Sequence, residues 1–246
     1  MNAANQQNKF PEIHLSEKRL FLIESGRYLH SAPLFSDCLE TDLCELADAC
    51  RLHLLPKGSV VFFQDDTADA VYIVCSGSIA ILLTSPDGRE LILNEIRPGD
   101  YFGELAIITG RLRSTSAIVR EKSELLVIPG KFFLSFLDNH LNVLRRLLEL
   151  TAQRLYASSD RESSLAFLDA PGRVVRQLLL LDKQNEEKGY MILSQEELAQ
   201  RTGLARQTVA KILGRWRRAG WLLTGRGRIM LLNREALKKV ERQNML

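Results

Sequence analysis

Along the chain the spacing of apolar positions changes character several times, and each change marks an element. A polar stretch, MNAANQQNKF, precedes SEKRLFLIES, where Ser16 ahead of an apolar patch predicts a short helix. From Pro33 to about Asp48, Leu39, Leu43 and Leu46 recur at helical spacing and predict helices that close one end of the next unit. Between Leu52 and about Pro129 the period drops to that of β-strands, in KGSVVFFQ, VYIVCSGSIAILL, RELILNEIRPGDYFGE, TSAIV and ELLVIP, with Gly58, Gly77, Gly88 and Gly99 at the breaks. Pro86, Asp87 and Gly88 form a hairpin signal. An antiparallel sheet that rolls or closes hides its strand edges and can enclose a small-molecule cavity.

From Leu137 the period becomes that of a long helix. Leu137, Leu141, Leu144, Leu148, Thr151, Leu155, Ser158, Glu162 and Leu165 alternate spacings of four and three, the seam of a coiled coil, and predict a homodimer held mainly by the first half of the helix. After the break at Asp169, Ala170, Pro171 and Gly172, a helix is expected from Arg173 to about Gln184, then LSQEELAQRTGLARQTVAKILGRWRRAG. Ser194 and Glu197 are spaced as a capping box, Thr202 and Gly203 make a tight turn, and the helix restarts near Arg206, which is a helix-turn-helix pattern. On the second helix Val209, Ile212, Leu213 and Trp216 share one side, and Arg206, Gln207 and Lys211, with Thr208 beside them, offer base-reading groups on the other. WLLTGRGRIMLLN follows as a hairpin whose turn carries Arg226 and Arg228, suited to phosphate contact.

Composition sharpens this reading through charge. The 246 residues are 46% hydrophobic, enough for packed cores and against disorder as the default. No apolar run nears the ~20 residues of a bilayer span, and no basic segment followed by an apolar stretch opens the chain, so a cytoplasmic protein without membrane attachment is expected. Four cysteines in that setting are read as reduced thiols. The net charge of +3 conceals an asymmetry: residues 1–172 hold 17 Lys and Arg against 23 Asp and Glu, whereas 173–246 hold 16 against 7. A basic module joined to a larger acidic one points to nucleic-acid binding under the control of a partner unit.

The sharpest chemistry lies in FGELAIITGRLRSTSA, residues 102–117. Gly103 lets backbone approach a ligand, the following turn presents amides, and Arg113 with Ser114 completes a phosphate cradle, with Leu105 and Thr115 counted to the same nucleotide site. Glu104 would repel a bare phosphate but can accept from a sugar hydroxyl. Phosphate with an adjacent hydroxyl describes a nucleotide.

These features, in this order, resemble the CRP/FNR family of bacterial transcription regulators over residues 33 to 232, and within it the cyclic-AMP receptor branch. The resemblance implies an α+β fold with an N-terminal cyclic-nucleotide-binding β-roll (jelly-roll-like), a long dimerisation helix and a C-terminal winged helix-turn-helix. The corresponding segments are an extension over 1–30, the roll with flanking helices over 31–136, the dimerisation helix over 137–168 and the DNA-binding domain over 169–246. It implies that Gly103 and Glu104 approach a ribose, that Arg113 and Ser114 hold a cyclic phosphate, that Arg154 lies near Glu104, and that Ser158 and Ser159 of RLYASSDRESSLAFLDAPGR meet the base, one from each subunit. Thr115, where the family usually has alanine, and Ser158, where the branch commonly has threonine, leave cyclic AMP and cyclic GMP both open as effector. Gln207 and Lys211 depart from the branch's glutamate and arginine, so the palindromic operator is expected to differ. RNA polymerase is the implied further partner. A regulator with another ligand, with a redox or haem signal, or with none remains the alternative; Cys38, Cys44, Cys50 and Cys75 lack the close pairs of cluster-binding runs, and no histidine has metal-ligand spacing. No cofactor beyond the effector and no metal is expected. No nucleophile–base pairing or carboxylate cluster supports an enzyme.

Overall fold

The computed structural model describes residues 15–243, so the polar tail expected over MNAANQQNKF lies outside the described residues. Helices α1 (Leu15–Ser31) and α2 (Glu40–Ala49) lead into strands β1 (Arg51–Leu55), β2 (Val60–Phe62), β3 (Ala70–Ser76), β4 (Ile79–Thr84), β5 (Glu90–Ile96) and β6 (Tyr101–Phe102). A short helix α3 (Glu104–Thr109) interrupts the strands before β7 (Ser116–Val119) and β8 (Ser123–Pro129), which α4 (Gly130–Asn139) follows. The strands form two four-stranded antiparallel sheets, ordered β1-β8-β3-β6 and β2-β7-β4-β5.

Period-two alternation explains how one strand serves two cores. On β3, Val71 and Ile73 point outward into a cluster with Leu29, Phe35 and Leu43 of the N-terminal segment and Phe133 of α4. Tyr72 and Val74 point inward, between the sheets, with Phe62, Phe102, Ala117 and Leu125. β3 is thus covered on both faces, which is why AVYIV reads as an unbroken apolar run. Gly88, at φ +80°, turns β4 into β5 in the expected hairpin, with its N–H donating to Ser85 O.

The long helix α5 (Leu141–Phe167) starts later than its spacing predicts. Leu137 belongs to α4 and is buried in the N-terminal core, because the chain leaves helical geometry at His140 (φ −129°, ψ 83°). The dimerisation helix expected from 137 therefore begins at 141. Val143 and Leu147 fix α5 to the roll, whereas Leu141, Leu144, Leu148 and Leu155 form an exposed apolar stripe along it.

The C-terminal unit contains α6 (Ala170–Gln184), β9 (Met191–Ile192), α7 (Gln195–Thr202), α8 (Arg206–Arg218), β10 (Leu222–Gly225), β11 (Arg228–Leu231) and α9 (Arg234–Gln243). Asp169 caps α6 by accepting from Gly172 N, with Pro171 in the first turn where a missing N–H costs nothing. Val175, Leu178, Leu198, Val209, Leu213, Trp216, Leu222 and Leu237 build its core. The sheet order is β10-β11-β9. Arg234 grips the buried Asp182 with two hydrogen bonds, Nε at 2.7 Å and Nη2 at 2.9 Å, and so straps α9 to α6. Among the described residues no helix is long and apolar enough to cross a membrane.

Candidate functional site

Gly103 ends β6 and caps α3 with φ +84°, a conformation that favours glycine. A Cβ there would stand 2.7 Å from Arg113 Nη1 and 3.3 Å from Tyr72 Cδ2, so the position needs glycine for space as well as for backbone. The turn it starts buries Glu104, only 3% exposed, and leaves Leu105 on the surface. Glu104 Oε1 accepts from Arg154 Nη1 at 2.9 Å, Arg154 Nη2 donates to Tyr101 O at 2.6 Å, and the Arg154 guanidinium lies 4.2 Å from the centre of the Tyr101 ring. The cassette and the long helix are thereby joined. Burial pushes the Glu104 carboxyl above its ordinary value, against the pull of Arg154.

Arg113 is held differently from a free phosphate ligand. Its side chain is 2% exposed; Nη1 donates to Gly103 O at 2.6 Å and Nη2 to Ala70 O at 2.7 Å, with the guanidinium 4.2 Å from the Phe62 ring centre. Phe62, Tyr72 and Phe102 form one aromatic group, with Tyr72 and Phe102 stacked at 5.1 Å. Of the three guanidinium nitrogens of Arg113, Nε is the one buried without a partner among the described residues. The loop after β2 holds the same residue by its backbone, through Arg113 N to Asp66 O and Asp65 N to Arg113 O, with Asp65 at φ +68°. Ser114 is exposed and Thr115 half-buried beside it. One turn beyond Arg154 on α5, Ser158 is half-buried, with Oγ 3.5 Å from Glu162 Oε1, and Ser159 is exposed. The aromatic trio was missed in the sequence; its signal is the aromatic at alternate inward positions of VVFF, AVYIV and YF.

In the C-terminal unit, Ser194 Oγ accepts from Glu197 N at 3.0 Å. The second half of the capping box is absent: the Glu197 carboxylate turns to Arg201 and, at 3.6 Å, to Arg120 of the roll. Gly203 at φ +64° makes the turn, and α8 runs from Arg206 with Val209, Ile212, Leu213 and Trp216 buried. Arg206, Gln207 and Lys211 are exposed on the opposite face, and Thr208 is half-buried. Arg226 sits at the tip between the paired Gly225 and Arg228, and Arg228 lies 5.0 Å from the centre of the Tyr190 ring. The four cysteines are free thiols, and among the described residues no group of three or more His, Cys, Asp or Glu is placed to hold a metal.

The two units also touch. Arg201 Nη2 donates to Glu95 of β5, and Gln200 Nε2 donates to Glu90 Oε2 at 2.7 Å, so α7 rests on the β4–β5 hairpin.

Comparison with known proteins matches two parts of the chain. Residues 52–140 match the cyclic nucleotide-binding domain family, and residues 172–240 match the Crp-like helix-turn-helix domain family. The chain is 33% identical to the cAMP-activated global transcriptional regulator CRP of Salmonella typhimurium, over 67% of this chain and 81% of that one. It is 32% identical to the CRP-like cAMP-activated global transcriptional regulator of Mycobacterium tuberculosis, over 75% and 85%. Among solved structures it is similar to the c-di-GMP responsive global regulator CLP of Xanthomonas campestris, with a TM-score of 0.69 and 27% identity, covering 74% of this chain and 94% of that one.

Proposed function

Because the chain belongs to the CRP/FNR family, as a ligand-responsive transcription regulator with a cyclic-nucleotide-binding domain and a helix-turn-helix, we propose that it is a homodimer gated by a cyclic nucleotide. Cyclic AMP is the favoured effector, as in the relatives named above, with cyclic GMP as the competitor. The ion pair between Glu104 and Arg154 carries this reading, because it ties the turn that would meet a ribose to the helix that would carry the dimer. Gly103 and Glu104 meet the ribose, Arg113 and Ser114 hold the phosphate with Leu105 and Thr115 beside them, and the base falls to Ser158 and Ser159 one turn above Arg154. Two copies pair through the exposed leucines of α5, and the ligand biases how the paired helices sit.

Each dimer then sets two α8 helices about one DNA turn, ~34 Å, apart in successive major grooves of a palindromic operator. Arg206, Gln207 and Lys211 read base edges, Thr208 supports them, and Arg226 and Arg228 hold phosphates. The reading has RNA polymerase as a further partner, acts in the cytoplasm and includes no catalytic step. Calorimetric titration with cyclic AMP and cyclic GMP tests it. Saturable binding that falls at least tenfold in Arg113→Ala and in the surface double variant Ser158→Ala, Ser159→Ala supports the assignment. Binding unchanged in both variants overturns it. A second reading, the same regulator answering a different ligand, is favoured by the inward contacts of Arg113; its mark is DNA binding by a chain that takes neither cyclic nucleotide.

A further inference from the structure

A cleft lies away from the cassette, in the angle between the roll and the C-terminal unit. It has a volume of about 680 Å³ and is walled by β5, the second half of α5, α6 and the end of α7. Such a volume is that of a small-molecule site. Six cations line it: Arg97, Arg161, Arg173, Arg176, Lys183 and Arg201. Three acids do so too, Glu95, Asp160 and Glu241, of which Glu95 is already bound to Arg201.

The cations differ in how far the protein itself satisfies them. Arg201 is held by Glu95 and Glu197. Arg173 donates Nη1 to Thr202 O at 3.3 Å, yet its Nε is buried and unpartnered among the described residues. Arg161 and Arg176 are half-buried and make no hydrogen bond or ion pair among the described residues. Burial draws the Arg161 guanidinium below its ordinary value, opposed only by Glu162. A half-buried guanidinium without a bonded anion loses hydration for little in return, so Arg161 and Arg176 facing one cleft, beside the unpartnered Arg173 Nε, fit a ligand that supplies the anion. Ile92, Leu165 and Leu180 give the same cleft an apolar wall.

We propose that this cleft binds a diphosphate-bearing ligand, its phosphates on Arg161, Arg173 and Arg176 and any ring it carries against Leu165 and Leu180. Because the walls come from both units, the ligand acts on how the DNA-binding unit sits on the roll. Its source is either a nucleotide or inorganic diphosphate. The inference does not depend on what the cassette binds.

Calorimetric titration of the full chain with ADP, inorganic pyrophosphate and adenosine tests it. ADP should bind saturably, weaken at least tenfold in the double variant Arg161→Ala, Arg176→Ala, and stay within twofold in Arg113→Ala. Pyrophosphate binding as tightly as ADP names the inorganic source, and ADP binding tighter names the nucleotide; either supports the site. Neither arginine makes a hydrogen bond or ion pair among the described residues, so an unchanged thermal midpoint is expected of the double variant, and Arg176→Lys should retain part of the affinity. The proposal is overturned if neither phosphate compound saturates, if adenosine binds as tightly as ADP, if the double variant binds ADP normally, or if Arg113→Ala alone abolishes binding. It is also overturned if the double variant changes only the salt dependence of DNA binding, which would place these arginines on DNA phosphates.

Discussion

At Gly103 a backbone at φ +84° and a guanidinium 2.7 Å from where a Cβ would stand make the same demand. Gly103→Ala is therefore expected to cost about 1–3 kcal/mol, read from urea unfolding, and to loosen Arg113 from its two carbonyls. An unchanged midpoint would contradict that geometry. Beside it, Glu104 sets a pH dependence. Its carboxyl is raised by burial, more than Arg154 lowers it. A carboxyl with a higher pKa folded than unfolded adds most to stability below its unfolded value, and that contribution is lost as pH rises through the folded value. Wild-type stability should then decline relative to Glu104→Gln as pH rises from about 4 to 7. Paired denaturation curves across that range measure it, and a wild-type advantage that grows with pH would show that the Arg154 pair outweighs burial.

At the scale of elements, the N-cap of α7 is a local device. Ser194→Ala should cost about 1 kcal/mol in thermal or chemical unfolding, since Glu197 N then loses its acceptor. Helices, strand breaks and the wing were legible because their signals are local: spacing, caps and glycines. What escaped depends on partners distant in sequence. Leu137 continues the four-three spacing of the leucines behind it, yet the turn at His140 hands it to the N-terminal core. Glu197 has capping-box spacing, but Arg201 and Arg120 compete for its carboxylate. The motif likewise singled out Arg113 as a candidate, but its partners, Phe62 and the Ala70 carbonyl, come from other strands and are set by sheet pairing.

Across the whole molecule, the exposed leucines of α5 are an apolar surface left without a partner among the described residues. Leu148 is 69% exposed on a helix whose other edge is buried, so Leu148→Asp should fold normally and yet sediment as a monomer in analytical ultracentrifugation. A variant still dimeric at micromolar concentration would place the pairing surface elsewhere. Within one chain, the bond from Arg201 to Glu95 is the counterpart of that seam, and Arg201→Ala should uncouple the two units. Both tryptophans, Trp216 and Trp221, lie in the C-terminal unit, the first fully enclosed by its core, whereas the roll has tyrosine and phenylalanine instead. Indole fluorescence is thus a built-in optical label for half of the protein. In the native chain its melting curve should superpose on that of far-ultraviolet circular dichroism, and in Arg201→Ala the two curves should part, the light from one half no longer reporting on the other.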